Sequence, residues 1–444
     1  MSEQKRHVLC LLFGLSAAQL VCFPVAAVEL TGSLRTHDPS RILNEGNRYY
    51  SFGTGVERRF SSDPFIPITS KFSDNFTNWQ NGPVVFTGIP DWAQSKVPNN
   101  KGNMWAPDVF YFGGQYRMYY SVSSFGSQNS VIGMATNTTL DFTSPSYAWV
   151  DHEMVIESEF GSPYNAIDPG IFYDDSTNRM WMTFGSFWNG IYITELDPAT
   201  GKRITPTSST LNIARNPVNP PDAIEAPFLT ENDGYYYLFV NWDTCCQGVN
   251  STYKIRVGRS TSPTGPFLDR NGISMTSGGG ELFLATEGSK IGPGHFSEFS
   301  EDSIDYFSYH YYDGSDNGRS KLAIEEFSYT FDGWPILVSD LPPGDYNRDG
   351  QVDAADYTVW RNALGSTDDL RANGDNQGMS HNIVDEADYD VWRDDFGTVY
   401  IDLSGSGSSA ISATVPEPSS FCLAALGLTA VFFRRRRAAD HRST

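Results

Sequence analysis

An all-β protein is predicted, and three observations carry the prediction. Aromatic residues make up 14% of the chain. Its 40 glycines and 25 prolines break the apolar runs into short stretches, the pattern of strands joined by turns. The third observation is an internal repeat. Asp38 precedes NRYYSFG, Asp108 precedes GGQYRMYYSVSS and Asp168 precedes STNRMWMTFGSF. Glu225 precedes NDGYYYLFVNWD and His295 precedes DSIDYFSYHYYDG. Each unit is a polar anchor, a short apolar strand, a turn and an aromatic strand, and the anchors recur about every sixty to seventy residues. Five such units predict sheets arranged around an axis, a five-bladed β-propeller over residues 28–338. A β-sandwich is the alternative, but it leaves five aligned polar anchors unexplained. If the anchors begin the innermost strands, they converge at one mouth of the central channel.

The segments around these units follow in order. Residues 1–27 have basic residues, an apolar stretch and a small-residue site, which predict a signal peptide. The net charge of -22 argues against a nucleic-acid partner, since phosphate contacts need Lys and Arg. It suits an exported chain or one that holds calcium. Of five cysteines, Cys10 and Cys22 fall in the signal and Cys422 near the C-terminus. Disulfides therefore do not hold the fold together. Cys245 and Cys246 are left either as a vicinal disulfide or as two reduced, packed thiols.

Converging carboxylates, with no serine or cysteine nucleophile among them, suggest glycoside hydrolysis. One acid must be ionised to act as base and another protonated to act as acid. A third negative charge nearby can raise the acid's pKa. Trp105, Phe187, Trp188 and Trp242 are candidates to face sugar rings, although each could equally fill a blade.

Asp38 in THDPS, Asp168 in YNAIDPG and Glu225 in IEAPFL resemble, in order and at blade spacing, the three catalytic motifs of glycoside hydrolase family 43. The stretches MWAPDV (104–109), YYSVSSFGSQNS (119–130), GSFWNGI (185–191), NWDTCCQG (241–248) and GPGH (292–295) are similar to its endo-α-1,5-L-arabinanases. The resemblance covers nearly all of residues 29–335 and implies an inverting enzyme acting on arabinan or arabino-oligosaccharides. It makes Asp38 the general base, Glu225 the general acid and Asp168 the residue that tunes and orients the acid. Trp105, Asp108, Asn129, Asn165, Ala166, Ile167, Gly185, Ser186 and Phe187 would line the substrate. Asp108 could instead support such a contact, or be a turn residue fixed by Pro107. His295 would hold a calcium ion on the propeller axis, with water as the remaining ligands because calcium prefers oxygen. A buried, hydrogen-bonded histidine is the other reading. An exo-acting α-L-arabinofuranosidase or β-xylosidase of the same family, and a non-catalytic sugar-binding propeller, are the competing functions. No organic cofactor is expected, and the chain is expected to be a monomer.

Residues 339–344 form a short Pro-containing linker. In DYNRDGQVDAAD (345–356), Asp345, Asn347, Asp349, Gln351 and Asp356 have calcium-loop spacing, with Gly350 at the turn. A helix follows, and ADYDVWRDDFG (387–397) repeats the ADYxVWRxxxG pattern. The duplicated unit, residues 345–398, resembles a type I dockerin and implies a cohesin-like partner. The second loop departs from the pattern, with Gln377 and Met379 at ligand positions; Asn373, Asp375 and Asp388 are its candidate ligands. Residues 399–414 read as a Gly/Ser-rich linker. The tail, residues 415–444, contains VPEPSSFCLAALGLTAVFFRRRR and resembles a PEP-CTERM sorting tail, cut by an exosortase-type enzyme. An ordinary membrane anchor is the alternative. Either way the protein is expected outside the cytoplasm, extracellular or bound to the cell envelope.

Overall fold

The computed structural model describes residues 28–56, 66–205, 207–218, 222–301, 304–367, 369–374 and 383–400. The expected signal peptide, Asp375, nearly all of the Gly/Ser-rich linker and the whole tail lie outside the described residues.

The described residues of the large unit form a five-bladed β-propeller. The first blade contains β1 (Thr31–Gly32), β2 (Leu43–Glu45), β3 (Arg48–Val56), β4 (Ile66–Ser73) and β5 (Asn78–Asn81), in the order β1-β5-β4-β3-β2. A short helix, α1 (Asp91–Lys96), precedes the second blade. That blade is β6 (Trp105–Phe112), β7 (Gln115–Val122), β8 (Ser130–Asn137) and β9 (Val150–Ser158). The third is β10 (Gly170–Asp174), β11 (Arg179–Phe184), β12 (Ile191–Asp197) and β13 (Lys202–Arg203), with β14 (Thr210–Ala214) also pairing with β12. The fourth is β15 (Ile224–Asn232), β16 (Tyr235–Trp242), β17 (Lys254–Ser260) and β18 (Glu281–Leu284). The fifth is β19 (Lys290–Glu301), β20 (Ile304–Asp313), β21 (Arg319–Tyr329) and β22 (Pro335–Leu337). Tight hairpins follow from local chemistry. Gly113-Gly114 and Asp233-Gly234 all have positive φ, as the two-residue turns favoured between twisted strands require.

The core lies between blades. Tyr50 and Phe52 pack with Val109, Met118 and Tyr120 across the first and second blades. Ile132 and Met134 meet Ile171, Met182 and Phe184 across the second and third. Trp181 and Ile193 meet Leu229, Leu238 and Val240 across the third and fourth. Phe239 stacks on Phe296 at 3.8 Å between the fourth and fifth. Each such ring, fully buried, contributes roughly 2–3 kcal/mol. The N-terminal segment closes the circle: Leu322 N–H donates to Leu34 O at 2.8 Å, and Ile42 and Trp79 pack on Leu322 and Ile324.

A second compact unit comprises residues 329–334 and the described residues from Leu341 onward. Its helices α2 (Ala354–Ala363) and α3 (Glu386–Asp395) have matching caps. Asp353 and Asp356 form a capping box on α2, and Asp385 and Asp388 form one on α3. The helices also bind each other reciprocally. Trp360 Nε1 donates to Asp385 O at 2.8 Å, and Trp392 Nε1 donates to Asp353 O at 2.7 Å. The sequence duplication is thus a structural one.

Candidate active site

Each blade places one left-handed residue at the same end of its innermost segment. These are Asp38 (φ 48°), Ala106 (44°), Asp168 (58°), Ala226 (50°) and His295 (65°). Proline follows in four cases and Phe296 in the fifth. The strand register shifts at Trp105/Asp108, Glu225/Phe228 and Gly294/Ser297, the mark of β-bulges that redirect side chains. Such a conformation costs about 1–2 kcal/mol for a residue with a Cβ and must be held by its surroundings. The holding device is the same in all five blades: the amide of the left-handed residue donates to a side chain of the preceding blade. Asp38 N–H reaches His310 Nδ1 (3.1 Å), Ala106 reaches Thr54 Oγ1 (2.9 Å) and Asp168 reaches Ser121 Oγ (3.0 Å). Ala226 reaches Asp168 Oδ2 (3.2 Å) and His295 reaches Asn241 Oδ1 (2.8 Å).

The repeat therefore has a different register from the one expected. Ala106 and Ala226, not Asp108 and Glu225, occupy the shared position. Glu225 lies one residue earlier and accepts from Ser186 Oγ at 2.5 Å. Asp108 lies two residues later, and both its oxygens are taken. Arg41 Nε and Nη2 donate to them at 3.0 and 2.7 Å, and Ile171 N–H donates at 2.8 Å. With its side chain 4% exposed, Asp108 is a clasp between three blades rather than a group facing substrate. Three of its roughly four acceptor sites are taken by a planar guanidinium and a backbone amide, and its burial keeps the carboxylate from a sugar hydroxyl.

The other expected residues divide in the same way. Asn165 is buried and accepts from Ser130 Oγ at 2.7 Å; Ala166 and Ile167 are buried beside it. They shape the segment leading to Asp168. Gly185 has φ 134°, and a Cβ there would sit 2.5 Å from Gly190 O, so this approach requires glycine. Asn129 donates to Lys96 O at 3.0 Å. Trp105, Phe187 and Trp188 are half-buried, and the rings of the last two meet edge to face. Trp242 is buried under the Arg256 guanidinium and fills the fourth blade.

Four residues around Asp38 were not anticipated. His37 Nδ1 donates to Asp38 Oδ2 at 2.7 Å, and Thr54 Oγ1 donates to the same oxygen at 2.6 Å. Tyr312 Oη lies 2.8 Å from His37 Nε2, and the His310 ring stacks on His37 at 4.0 Å. The available signals were His37 beside Asp38 and the alternation of His310 and Tyr312 along one strand face. His295 Nδ1 lies 3.6 Å from Asp38 Oδ1 and makes no hydrogen bond. His37, Asp38 and His310 also bring ligand atoms within 4.8 Å of one another.

These surroundings separate the acids by protonation. Burial alone would raise Asp38, but the charge and hydrogen bond of His37 overcome it and hold the carboxyl far below its usual range. Burial likewise opposes protonation of His37, and Asp38 reverses that, so its pKa is raised. Burial depresses His295 and, more strongly, His310, whose Nδ1 already accepts the Asp38 amide. Glu225 is pushed up to about 7, by burial first and by Asp38, against the Ser186 hydrogen bond. Asp168 is raised well above its ordinary value by burial and then by Glu225. Asp168 and Glu225 thus hold a proton beside an ionised Asp38.

In the small unit, Asp345 Oδ2 accepts Gly350 N–H at 2.7 Å. Asp356 accepts the amides of Asn347 and Asp353, each at 2.8 Å. Gln351 N–H donates to Asp349 Oδ1 at 2.9 Å. Burial, then Asp356 and Asp349, push Asp345 up to about 7. Crowded, buried oxygen donors of this kind fit a hard cation. Asp388 is buried and accepts the Asp385 amide at 2.8 Å.

Comparison with known proteins agrees with this geometry. The family model for glycosyl hydrolases family 43 matches residues 31–335. A PEP-CTERM protein-sorting motif matches residues 414–437. The chain is 42% identical over 301 residues to the extracellular endo-α-(1→5)-L-arabinanase 1 of Bacillus subtilis (strain 168), covering 67% of this chain and 86% of that protein. It is 37% identical over 329 residues to the extracellular exo-α-(1→5)-L-arabinofuranosidase ArbA of Cellvibrio japonicus (strain Ueda107), covering 72% and 91%. The solved Cellvibrio cellulosa α-L-arabinanase complexed with arabinohexaose aligns with a TM-score of 0.63 and 37% identity, over 68% of this chain and 95% of that one. The family match spans well over half of the chain, and the chain belongs to glycosyl hydrolase family 43.

Proposed function

We propose that the chain is an exported hydrolase that cuts internal α-1,5-L-arabinofuranosidic bonds of arabinan with inversion. The observation that carries this reading is one mouth where Asp38 is held ionised while the neighbouring Asp168 and Glu225 are both raised and share a proton. Asp38, ionised and aimed by His37 and Thr54, takes a proton from the attacking water. Glu225, kept protonated near neutrality, gives its proton to the departing glycosidic oxygen. Asp168 keeps that proton in place by repulsion. A binding module needs no such division. The exo reading is favoured by the likeness to the Cellvibrio japonicus exo-acting relative. Product sizes over time on linear arabinan separate the two. Early mixed oligosaccharides support the endo mode, and one short product from the first minutes overturns it.

The pH profile tests the role of Asp168. A shared proton leaves the pair at a higher pKa than either acid would have alone. Asp168→Asn removes the repelling charge and leaves Glu225 to titrate by itself. The alkaline limb of the profile, where the acid's proton is lost, is expected to move to lower pH. An unchanged limb, or one moved upward, counts against this role.

Calcium is proposed at two places. Asp345, Asn347, Asp349, Gln351 and Asp356 would hold one ion, and Asp388 lies at the corresponding place in the second copy. The unpartnered His295 Nδ1 would hold another that keeps most of its water, adding positive charge beside Asp38. Chelation is expected to abolish the unfolding transition of the small unit and to shift that of the propeller much less. Calcium titration should lose one site in Asp345→Ala and a different one in His295→Gln. A small unit indifferent to chelation sinks the loop assignment. The duplicated helical unit is further proposed as a dockerin-like module for a cohesin-like partner, with loss of cohesin binding on chelation as its test. The sorting motif supports export and removal of the tail by an exosortase-type enzyme, which the mass of the mature protein checks.

A further inference from the structure

Cys245 and Cys246 form a disulfide in the loop between β16 and β17, and it is the one disulfide among the described residues. Cys246 is exposed, and its Sγ lies 3.8 Å from His37 Nε2. Its amide donates to Tyr312 Oη at 2.7 Å. The same Tyr312 oxygen lies 2.8 Å from His37 Nε2, and the other nitrogen of that ring holds Asp38 Oδ2 at 2.7 Å. An unbroken chain of contacts thus runs from the disulfide loop in the fourth blade, through the fifth, to the carboxylate in the first.

The loop is built to fix the first link. Thr244 and Thr252 pair through their backbones (2.9 Å) and hydroxyls (2.9 Å), and Gln247 N–H donates to Ser251 Oγ at 3.0 Å. Lys254 pairs with Asp243 at 2.7 Å. Between these ties Cys246 has φ 66°, a region that a residue with a Cβ enters only when held there. A bond between adjacent side chains closes a small ring around the intervening peptide and so restricts where the Cys246 N–H points. The His37 ring can move only by rotation about Cα–Cβ and Cβ–Cγ. The stack on His310 limits that rotation on one face, and the contacts at the two ring nitrogens fix what is left.

We propose that the Cys245–Cys246 disulfide, Tyr312 and His37 form a positioning relay that aims the Asp38 carboxylate at its water. The relay rests on the reading of Asp38 as the base. None of the three need touch the reacting atoms. Opening the disulfide releases the Cys246 turn, and the effect reaches Asp38 through Tyr312 and His37. A dithiol supplies the chemistry: it gives two electrons and two protons to the S–S bond, leaves two cysteine thiols and becomes a disulfide itself. Export to an oxidising compartment keeps the relay set, and a reducing one slackens it.

The test uses the full chain with dithiothreitol as the reductant. Reduction is expected to lower kcat on arabinan on the order of tenfold, because a displaced catalytic group loses rate before it loses binding. KM should stay within about twofold. Reoxidation should restore kcat in the natural chain. The Cys245→Ser/Cys246→Ser protein should start low and respond to neither reagent. Tyr312→Phe should lower kcat as reduction does, and reduction should then add little, because both act on one chain of contacts. The ring 15N signals of His37, assigned by difference from His37→Gln, should move on reduction. Full activity after reduction, with those signals unmoved, overturns the proposal. So does a fall in kcat that merely tracks loss of folded protein in thermal scans of the same samples. If the oxidised chain does not cut arabinan at all, the hydrolase reading fails, and the His37 signals still decide the relay.

Discussion

Glu225→Gln is expected to lower kcat/KM on arabinan on the order of a thousandfold, the usual range of a lost general acid. The departing sugar oxygen is a poor leaving group and needs a proton as the bond breaks. Glutamine fills the same space and can still face Ser186, so folding should survive. On an arabino-oligoside carrying an activated phenol the loss should be below about tenfold, since that group departs without a proton. The contrast between the two substrates is the measurement. Equal losses on both would remove Glu225 from the acid's role, whatever the absolute rates.

Asp38→Asn should fail on both substrates, by about a thousandfold or more, because water attack is common to both. The amide oxygen can still accept from His37 and Thr54, so the change removes the base while keeping these contacts. It also removes the negative charge that raises the His37 pKa, which should fall in consequence. NMR of the first product gives the second half of the argument. Direct attack by water inverts the anomeric carbon, whereas a covalent intermediate would retain its configuration. Retention in the natural enzyme would overturn the assignment of Asp38 as a base.

The blades were legible in the sequence because their signal is local: an aromatic strand after a turn, repeated. The three acids were legible because each sits beside or near a proline, and X-Pro is a conspicuous pair. The register was not. The shared feature is a backbone conformation, occupied by Asp, Ala, Asp, Ala and His, and a search for polar anchors passes over the alanines. Arg41 and Asp108 are 67 residues apart, and nothing local ties them together. Only the closed ring brings them into contact, and it places Asp108 as a clasp, the supporting role that the sequence had left open beside a direct contact with substrate. His310 was hidden for a related reason. In YHYY it reads as one more ring in an aromatic strand, and its partner, the Asp38 amide, lies 272 residues away. In the small unit the duplicated helices were readable, but the reciprocal indole bonds that join them were not.

The ring of amide contacts has a direction, since each blade leans on the one before it. For four blades the supporting side chain has already been synthesised when the left-handed residue emerges. For the first blade it has not. Asp38 leaves the ribosome early, while His310, Tyr312 and the Cys246 amide that frame it arrive only with the fourth and fifth blades. A nascent chain, or one stalled partway across a membrane, therefore carries both Glu225 and Asp168 before it carries an aimed base. On the reading of Asp38 as the base, catalytic competence then waits for the fifth blade to close the ring.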